Sequence, residues 1–209
     1  MASVALGESG RTRAKRISAA DAAAIVDSGD WVEYGTGIGQ PDAFDAALGE
    51  RVEELVDVKI RACLSVRPRA VLEADPGREH FHWFNWHFTG YDRAKGDIGC
   101  ASYIPCNLGE IPDYYRRFID PPEIAVLNTC PKDEHGFYNF SLAALWHRPI
   151  DERARIVIVE ESPGLPYLDG VENVVHESEV DYVIAGDEGP PPEIPNPPPT
   201  VANRALSHS

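Results

Sequence analysis

The run Arg155-Ile156-Val157-Ile158-Val159-Glu160 constrains the fold more than any other stretch. A strand that is apolar on both faces must be covered on both, which βαβ units in a parallel sheet accomplish. Shorter strand patterns stand at Trp31–Tyr34, Val58–Leu64, Ile124–Leu127 and Val180–Ala185, with helical patterns between them. The expectation is an α/β fold with an open, mostly parallel sheet flanked by helices.

The first helix is marked by Ser18 as its cap and Asp21 three residues later, with Ala22, Ile25 and Val26 as the apolar stripe, ending at Gly29. The strand at Trp31 then runs into Gly35-Thr36-Gly37-Ile38-Gly39-Gln40, and Pro41 suits the first turn of a helix reaching about Arg51. Such a loop either brings backbone N–H groups toward a phosphate, carboxylate or oxyanion at a helix mouth, or is a tight structural turn. It is not the dinucleotide fingerprint, because its third glycine comes one position early, and it lacks the Lys-Ser/Thr ending of a phosphate loop. The alternation in Val58–Leu64 reads as a strand with one buried face, at or near the sheet edge.

From Leu72 to Gly109 the chain reads as a long irregular excursion, unusually aromatic around His80–Phe88, and such excursions are usually functional. The spacing His80-x-His82-x4-His87 matches no strong zinc pattern, so pocket lining is favoured over a metal site. Leu108–Phe118 reads as a helix interrupted by Pro112. Behind the Ile124 strand lies Pro131-Lys132-Asp133-Glu134-His135-Gly136-Phe137, whose Asp133, Glu134 and His135 are either an acid/base cluster or a solvated turn. Residue types alone favour the turn. No Gly-x-Ser-x-Gly elbow is present, which argues against a self-contained hydrolase.

The 34 acidic and 19 basic residues give a formal charge of −15, which repels nucleic acid and anionic membranes and offers coenzyme A no general attraction. Any site for a polyanion needs local Lys or Arg, or a partner's. No apolar run approaches the ~20 residues of a membrane span, and Met1–Lys15 has no apolar core of a secretory signal. Cys63, Cys100, Cys106 and Cys130, without C-x-x-C spacing, read as reduced core thiols of a cytoplasmic protein.

Seven of the eighteen prolines fall between Pro190 and Pro199, which predicts an extended strap, and Thr200 could cap one turn from Val201 to Leu206. The boundaries are a polar extension over 1–16, an α/β domain over 17–187, and the strap with its short helical tail over 188–209.

Several segments together resemble the N-terminal half of the acetyl-CoA hydrolase/transferase family, the class I coenzyme A transferases that include 4-hydroxybutyrate and butyrate:acetate CoA-transferases. They are Ser28-Gly29-Asp30, Trp86-His87-Phe88-Thr89-Gly90-Tyr91, Tyr103-Ile104-Pro105, Pro131–Phe140, Val157–Glu160 and Ser178–Val183. The resemblance implies a NagB/RpiA/CoA-transferase-like sheet and an active site between two similar halves. It also implies that a glutamate of the second half attacks the acyl-CoA thioester and passes through a glutamyl-CoA intermediate.

That half is not in this sequence, so no catalytic residue is carried over. The expected partner is a second CoA-transferase subunit bearing the glutamate, in a hetero-oligomer whose substrates are acyl-CoA and a carboxylate, with no permanently bound cofactor and no metal. Gly37, Gly39 and Gln40 are expected to line the cleft, and after them Trp86, His87, Tyr103, Pro105, His135 and Gly136. The alternatives are a piece of a fused transferase or acyl-CoA hydrolase, and a non-catalytic acyl-CoA-binding regulator.

Overall fold

The computed structural model describes residues 14–194 and Pro198. The expected strap is described over 188–194 and at Pro198, and the helical turn at Val201–Leu206 lies outside the described residues.

The main sheet contains β1 (Lys15–Arg16), β2 (Trp31–Thr36), β3 (Val58–Cys63), β4 (Phe81–Asn85), β5 (Ala101–Tyr103) and β6 (Ile124–Thr129). After β7 (Phe137–Asn139) it takes in β8 (Ile156–Glu161) and, after β9 (Val174–His176), β10 (Tyr182–Ala185). The order is β1-β10-β8-β6-β2-β3-β4-β5, and every pairing in it is parallel. β7 and β9 form a separate antiparallel ribbon. The sheet begins two residues earlier than the boundary read from sequence, because β1 pairs with β10.

The helices are α1 (Ala19–Ala23), α2 (Asp42–Gly49), α3 (Ala70–Ala74), α4 (Gly90–Asp97), α5 (Ile111–Asp113) and α6 (His147–Asp151). Ser18 and Asp21 form the expected capping box at α1. Ala22, Phe44, Leu48 and Leu72 from α1, α2 and α3 pack on the face that carries Val32, Tyr34, Ile60 and Trp83. On the opposite face, Ile111, Tyr115, Trp146 and Ile150 pack with the ribbon's Tyr138 and Val175 against Ala125, Leu127, Val157 and Val159. β8 is therefore covered on both sides, as its sequence required, and each large side chain so buried stabilises the fold by about 1.5–3 kcal/mol.

Two readings are corrected. β3 is interior, lying between β2 and β4, and its polar Arg61 is buried. Arg61 Nε donates to Glu33 Oε2 at 2.9 Å, Tyr115 Oη donates to Glu33 Oε1 at 2.6 Å, and the guanidinium stacks 4.7 Å from the Trp31 ring. A buried ion pair mimics, in sequence, the alternation of a half-exposed strand. The excursion from Leu72 to Gly109 is mostly regular, with β4, α4 and β5 making another parallel crossover. Its α4 carries a second capping box, Thr89 with Asp92. The expected stretch Leu108–Phe118 is helical throughout, passing from a 3-10 turn through α5 into a π turn, with Pro112 in the first turn of α5.

The candidate clefts at the carboxyl edge of the sheet

Starting from β2, the chain proceeds outward through β3, β4 and β5, whereas β6, β8 and β10 lie on its other side. The carboxyl edge beside such a reversal leaves a crevice, the usual ligand site of open α/β sheets. Here a cleft of about 480 Å³ is walled by Gly37 and Ile38 after β2, Leu64 and Val66 after β3, the 141–145 turn, and the 168–173 loop.

The glycine loop divides its work. A Cβ on Gly35 would lie 2.7 Å from His147 Nε2, and one on Gly39 would lie 2.4 Å from Ala143 Cβ, so these two glycines exist for close packing. Gly37 has φ +56° and only Leu64 Cδ2, at 3.9 Å, near a hypothetical Cβ, and it alone of the three lines the cleft. Gln40 is buried, and its Nε2 donates to Cys63 O at 2.9 Å. Arg67 grips the loop from outside, donating to Ile38 O and Gln40 O while paired with Asp42.

The mouth of α2 is already filled. Glu160, at the end of β8, accepts from the N–H groups of Asp42 and Ala43 through Oε1 and of Phe44 through Oε2, at 2.9, 3.2 and 3.0 Å. Burial pushes its pKa up to about 7 against the pull of those three donors. An internal carboxylate thus occupies the place where a phosphate or oxyanion was one of the expectations. Sequence reading took Glu160 only as the end of a strand.

Two non-glycine residues of this cleft hold left-handed backbone, Leu64 at φ +57° and Ser141 at φ +54°. Leu64 N donates to both His87 O and Asn85 Oδ1, while Ser141 is pinned through its N–H to Asn139 Oδ1 and its hydroxyl to Pro166 O. Such strain costs on the order of 1–3 kcal/mol per residue and concentrates at functional sites. The rim is apolar and open, with Val171 90%, Ile194 62% and Leu145 55% exposed. Asp169 is the charged residue in its lining.

A second cleft, about 490 Å³, opens at the carboxyl ends of β4 and β5 between Trp86, His87, Phe88, Arg93 and Tyr103. Of the expected site residues, Trp86, His87 and Tyr103 meet here, Pro105 sits exposed on the adjoining loop, and Gly37 faces the first cleft. His135 and Gly136 line neither. They belong to a solvated turn in which Asp133 Oδ1 accepts from His135 N and Phe137 N and Gly136 takes φ +89°. The histidines are used separately, His80 against Leu55 O and His82 beside Asp57. Among the described residues no group of three or more His, Cys, Asp or Glu is placed to hold a metal. Nor is any helix there long and apolar enough to cross a membrane.

The layered parallel sheet with its carboxyl-edge clefts is the fold of the CoA-transferases. It superposes on RipA from Yersinia pestis with a TM-score of 0.81 at 20% identity, over 93% of this chain and 47% of that one. It superposes on a 4-hydroxybutyrate CoA-transferase from Porphyromonas gingivalis with a TM-score of 0.63 at 21% identity, over 88% and 42%. Residues 9–195 match the acetyl-CoA hydrolase/transferase N-terminal domain, and the chain belongs to that family. It is 38% identical over 175 residues to the butyryl-CoA:acetate CoA-transferase of Anaerostipes caccae, covering 83% of this chain and 39% of that protein. The chain spans about 40% of the length of this relative and of a probable butyrate:acetyl-CoA coenzyme A-transferase of Syntrophomonas wolfei, to which it is also 38% identical.

Proposed function

We propose that this chain is one wall of a CoA-transferase that moves coenzyme A between an acyl-CoA and a carboxylic acid, the nucleophilic glutamate being supplied by a second subunit. The observation that carries this reading is a cleft whose lining includes no glutamate among the described residues. It has strained backbone at Leu64 and Ser141 and an exposed apolar rim, and among the described residues no glutamate lines it or its neighbour. Glu33 and Glu160 are buried and occupied by Arg61 and the α2 amides.

In the proposed cycle the partner's glutamate carboxylate attacks the thioester carbonyl and the CoA thiolate leaves, giving an acyl–glutamyl anhydride. The thiolate then attacks the glutamyl carbonyl and expels the first carboxylate. The acceptor carboxylate attacks the resulting glutamyl-CoA thioester to form a second anhydride, and CoA returns to the acceptor's acyl carbon as the glutamate is released. CoA esters are substrates here and no resident cofactor takes part. This chain's share is to close the apolar cleft over the acyl group and exclude water, so that anhydride and thioester are not lost to hydrolysis.

The relatives named as CoA-transferases support this reading. So does the fraction of their length that the chain spans, which leaves room for a glutamate-bearing second half. The test is acyl exchange between CoA esters by the purified chain alone and mixed with a candidate second half. Exchange in the mixture and none alone is expected; robust exchange by the chain alone would falsify the partner requirement.

A further inference from the structure

We propose that Asp169 sets the acyl specificity of the first cleft, turning away acyl groups that end in a second carboxylate and admitting uncharged ones of the same shape. This deepens the transferase reading by naming a specificity-determining residue, and it rests on that reading for the acyl group's place in the cleft.

The charge sits in an aliphatic lining. The walls are built chiefly from side chains such as Ile38, Leu64, Val66, Leu142, Leu145 and Val171, and among the described residues Asp169 is the one charged group that lines the cleft. The sequence holds no lysine or arginine from Ile156 to Asn203, a stretch with ten acidic residues that contains the whole 168–173 loop. The nearest charges along the chain have the same sign, Glu172 beside Val171 and Glu193 beside Ile194. An anionic acyl end entering here exchanges water for aliphatic walls and meets a like charge, with no cation of the lining to compensate.

The loop that carries Asp169 is anchored by Asn139, a fully buried amide. Asn139 Nδ2 donates to Leu168 O at 2.9 Å and its Oδ1 accepts from Leu168 N at 3.3 Å, so the residue before Asp169 is held by both its backbone groups. The same Oδ1 accepts from Ser141 N at 2.8 Å, and Ser141 Oγ donates to Pro166 O at 2.6 Å. Phe140 N donates to Asn173 O at 2.8 Å and secures the far end of the loop. One side chain thus ties the Asp169 loop to the strained turn that forms another wall, and the carboxylate is presented from a fixed backbone. At a separation of about 6 Å and an effective dielectric of about 40, between a protein surface and bulk water, two like charges weaken binding about tenfold. An amide end escapes that repulsion and can donate to Asp169.

The test uses N-acetylcysteamine thioesters, which present an acyl group without the charges of coenzyme A. Glutaryl and glutaramyl thioesters share a shape and differ in ending in a carboxylate or a primary amide. Each is titrated against the full chain by saturation-transfer difference NMR near neutral pH in about 0.15 M salt, where charges beyond ~8 Å are largely screened. The amide binds about tenfold more tightly than the acid, Asp169→Asn brings the two within about threefold, and Asp169→Lys puts the acid ahead. Glu134→Gln changes the net charge by the same amount in the solvated turn, where the Glu134 side chain is 88% exposed, and leaves the tenfold ratio in place. Thermal melts of the Asp169 variants match the parent, since the residue is exposed.

Equal binding of the two probes by the parent, a ratio that survives Asp169→Asn, or one that Glu134→Gln abolishes as well overturns the proposal. Absence of saturable binding by both probes overturns it too, because the acyl group then lies elsewhere. The transferase reading is tested separately by acyl exchange with acetate, which has no second carboxylate. Robust exchange beside a flat ratio sinks the specificity claim alone, and a tenfold ratio without exchange sinks the transferase reading alone.

Discussion

Gly35, Gly37 and Gly39 are interchangeable in a sequence and not in the fold. The outer two are seats for His147 and Ala143, left-handed backbone is taken at Gly35 as well as at Gly37, and at Gly37 it lies beside open space. Gly39→Ala must therefore displace Ala143 or the loop and is expected to destabilise by about 1–3 kcal/mol. Adding Ala143→Gly should recover most of that loss in a double-mutant cycle of urea unfolding, since the clash is between two methyl groups. Additive losses would refute the packing account.

His147 is the other informative residue. Its imidazole is fully buried, lies 4.9 Å from the Phe140 ring, and has its pKa pushed down to about 4 by burial alone. The folded pKa lies below the unfolded value of ~6.5, so the unfolded chain binds the proton more readily and this group's contribution is intact above that value and lost as pH falls toward 4. The stability gap between the parent and His147→Asn should accordingly shrink by up to about 1.4 kcal/mol per pH unit across that window. Urea midpoints at pH 7 and pH 5 check this, and a gap that does not move contradicts it.

At the scale of elements, α2 and β3 depend on carboxylates that sequence reading did not place. Glu160→Ala leaves three N–H groups at the start of α2 without their acceptor and is expected to destabilise by about 1–3 kcal/mol, measured by denaturant unfolding. Glu33→Ala removes the partner of a buried guanidinium, for which about 3–5 kcal/mol is expected at pH 8. A loss under 1 kcal/mol would mean that Asp120 O and the Trp31 and Tyr115 rings suffice to hold Arg61.

These elements also mark how far the sequence could be read. α1 was legible because Ser18 and Asp21 are three residues apart, a purely local signal. The place of β3 in the sheet was not, because Arg61 and Glu33 are 28 positions apart and their pairing is tertiary. β4 and α4 were hidden by aromatic density, although Thr89 and Asp92 carry the same capping signal that located α1.

For the whole molecule, the parallel α/β class followed from the apolar β8, but the strand order did not. Nothing local says that β2 is the strand from which the sheet grows in both directions, and with it the position of the first cleft. Of the expected site residues, Gly37 reached that cleft and Trp86, His87 and Tyr103 the second, while His135 and Gly136 were drawn by motif density to a solvated turn. The exposed rim leaves Val171, Ile194 and Leu145 open to solvent, and the proposed second half is what would cover it. Val171→Asp, at a residue 90% exposed, should leave the thermal midpoint of the isolated chain within error and weaken its association with that half. Unchanged association in a pull-down would place the interface elsewhere.

The pairing of β1 with β10 has a consequence for how the chain is made. Lys15 N donates to Asp181 O and Ile17 N to Val183 O, so the first strand among the described residues is completed by the last of them. At synthesis rates of about 5–20 residues per second, β1 waits roughly 10–30 s for its neighbour, with Lys15 and Arg16 keeping that waiting edge charged.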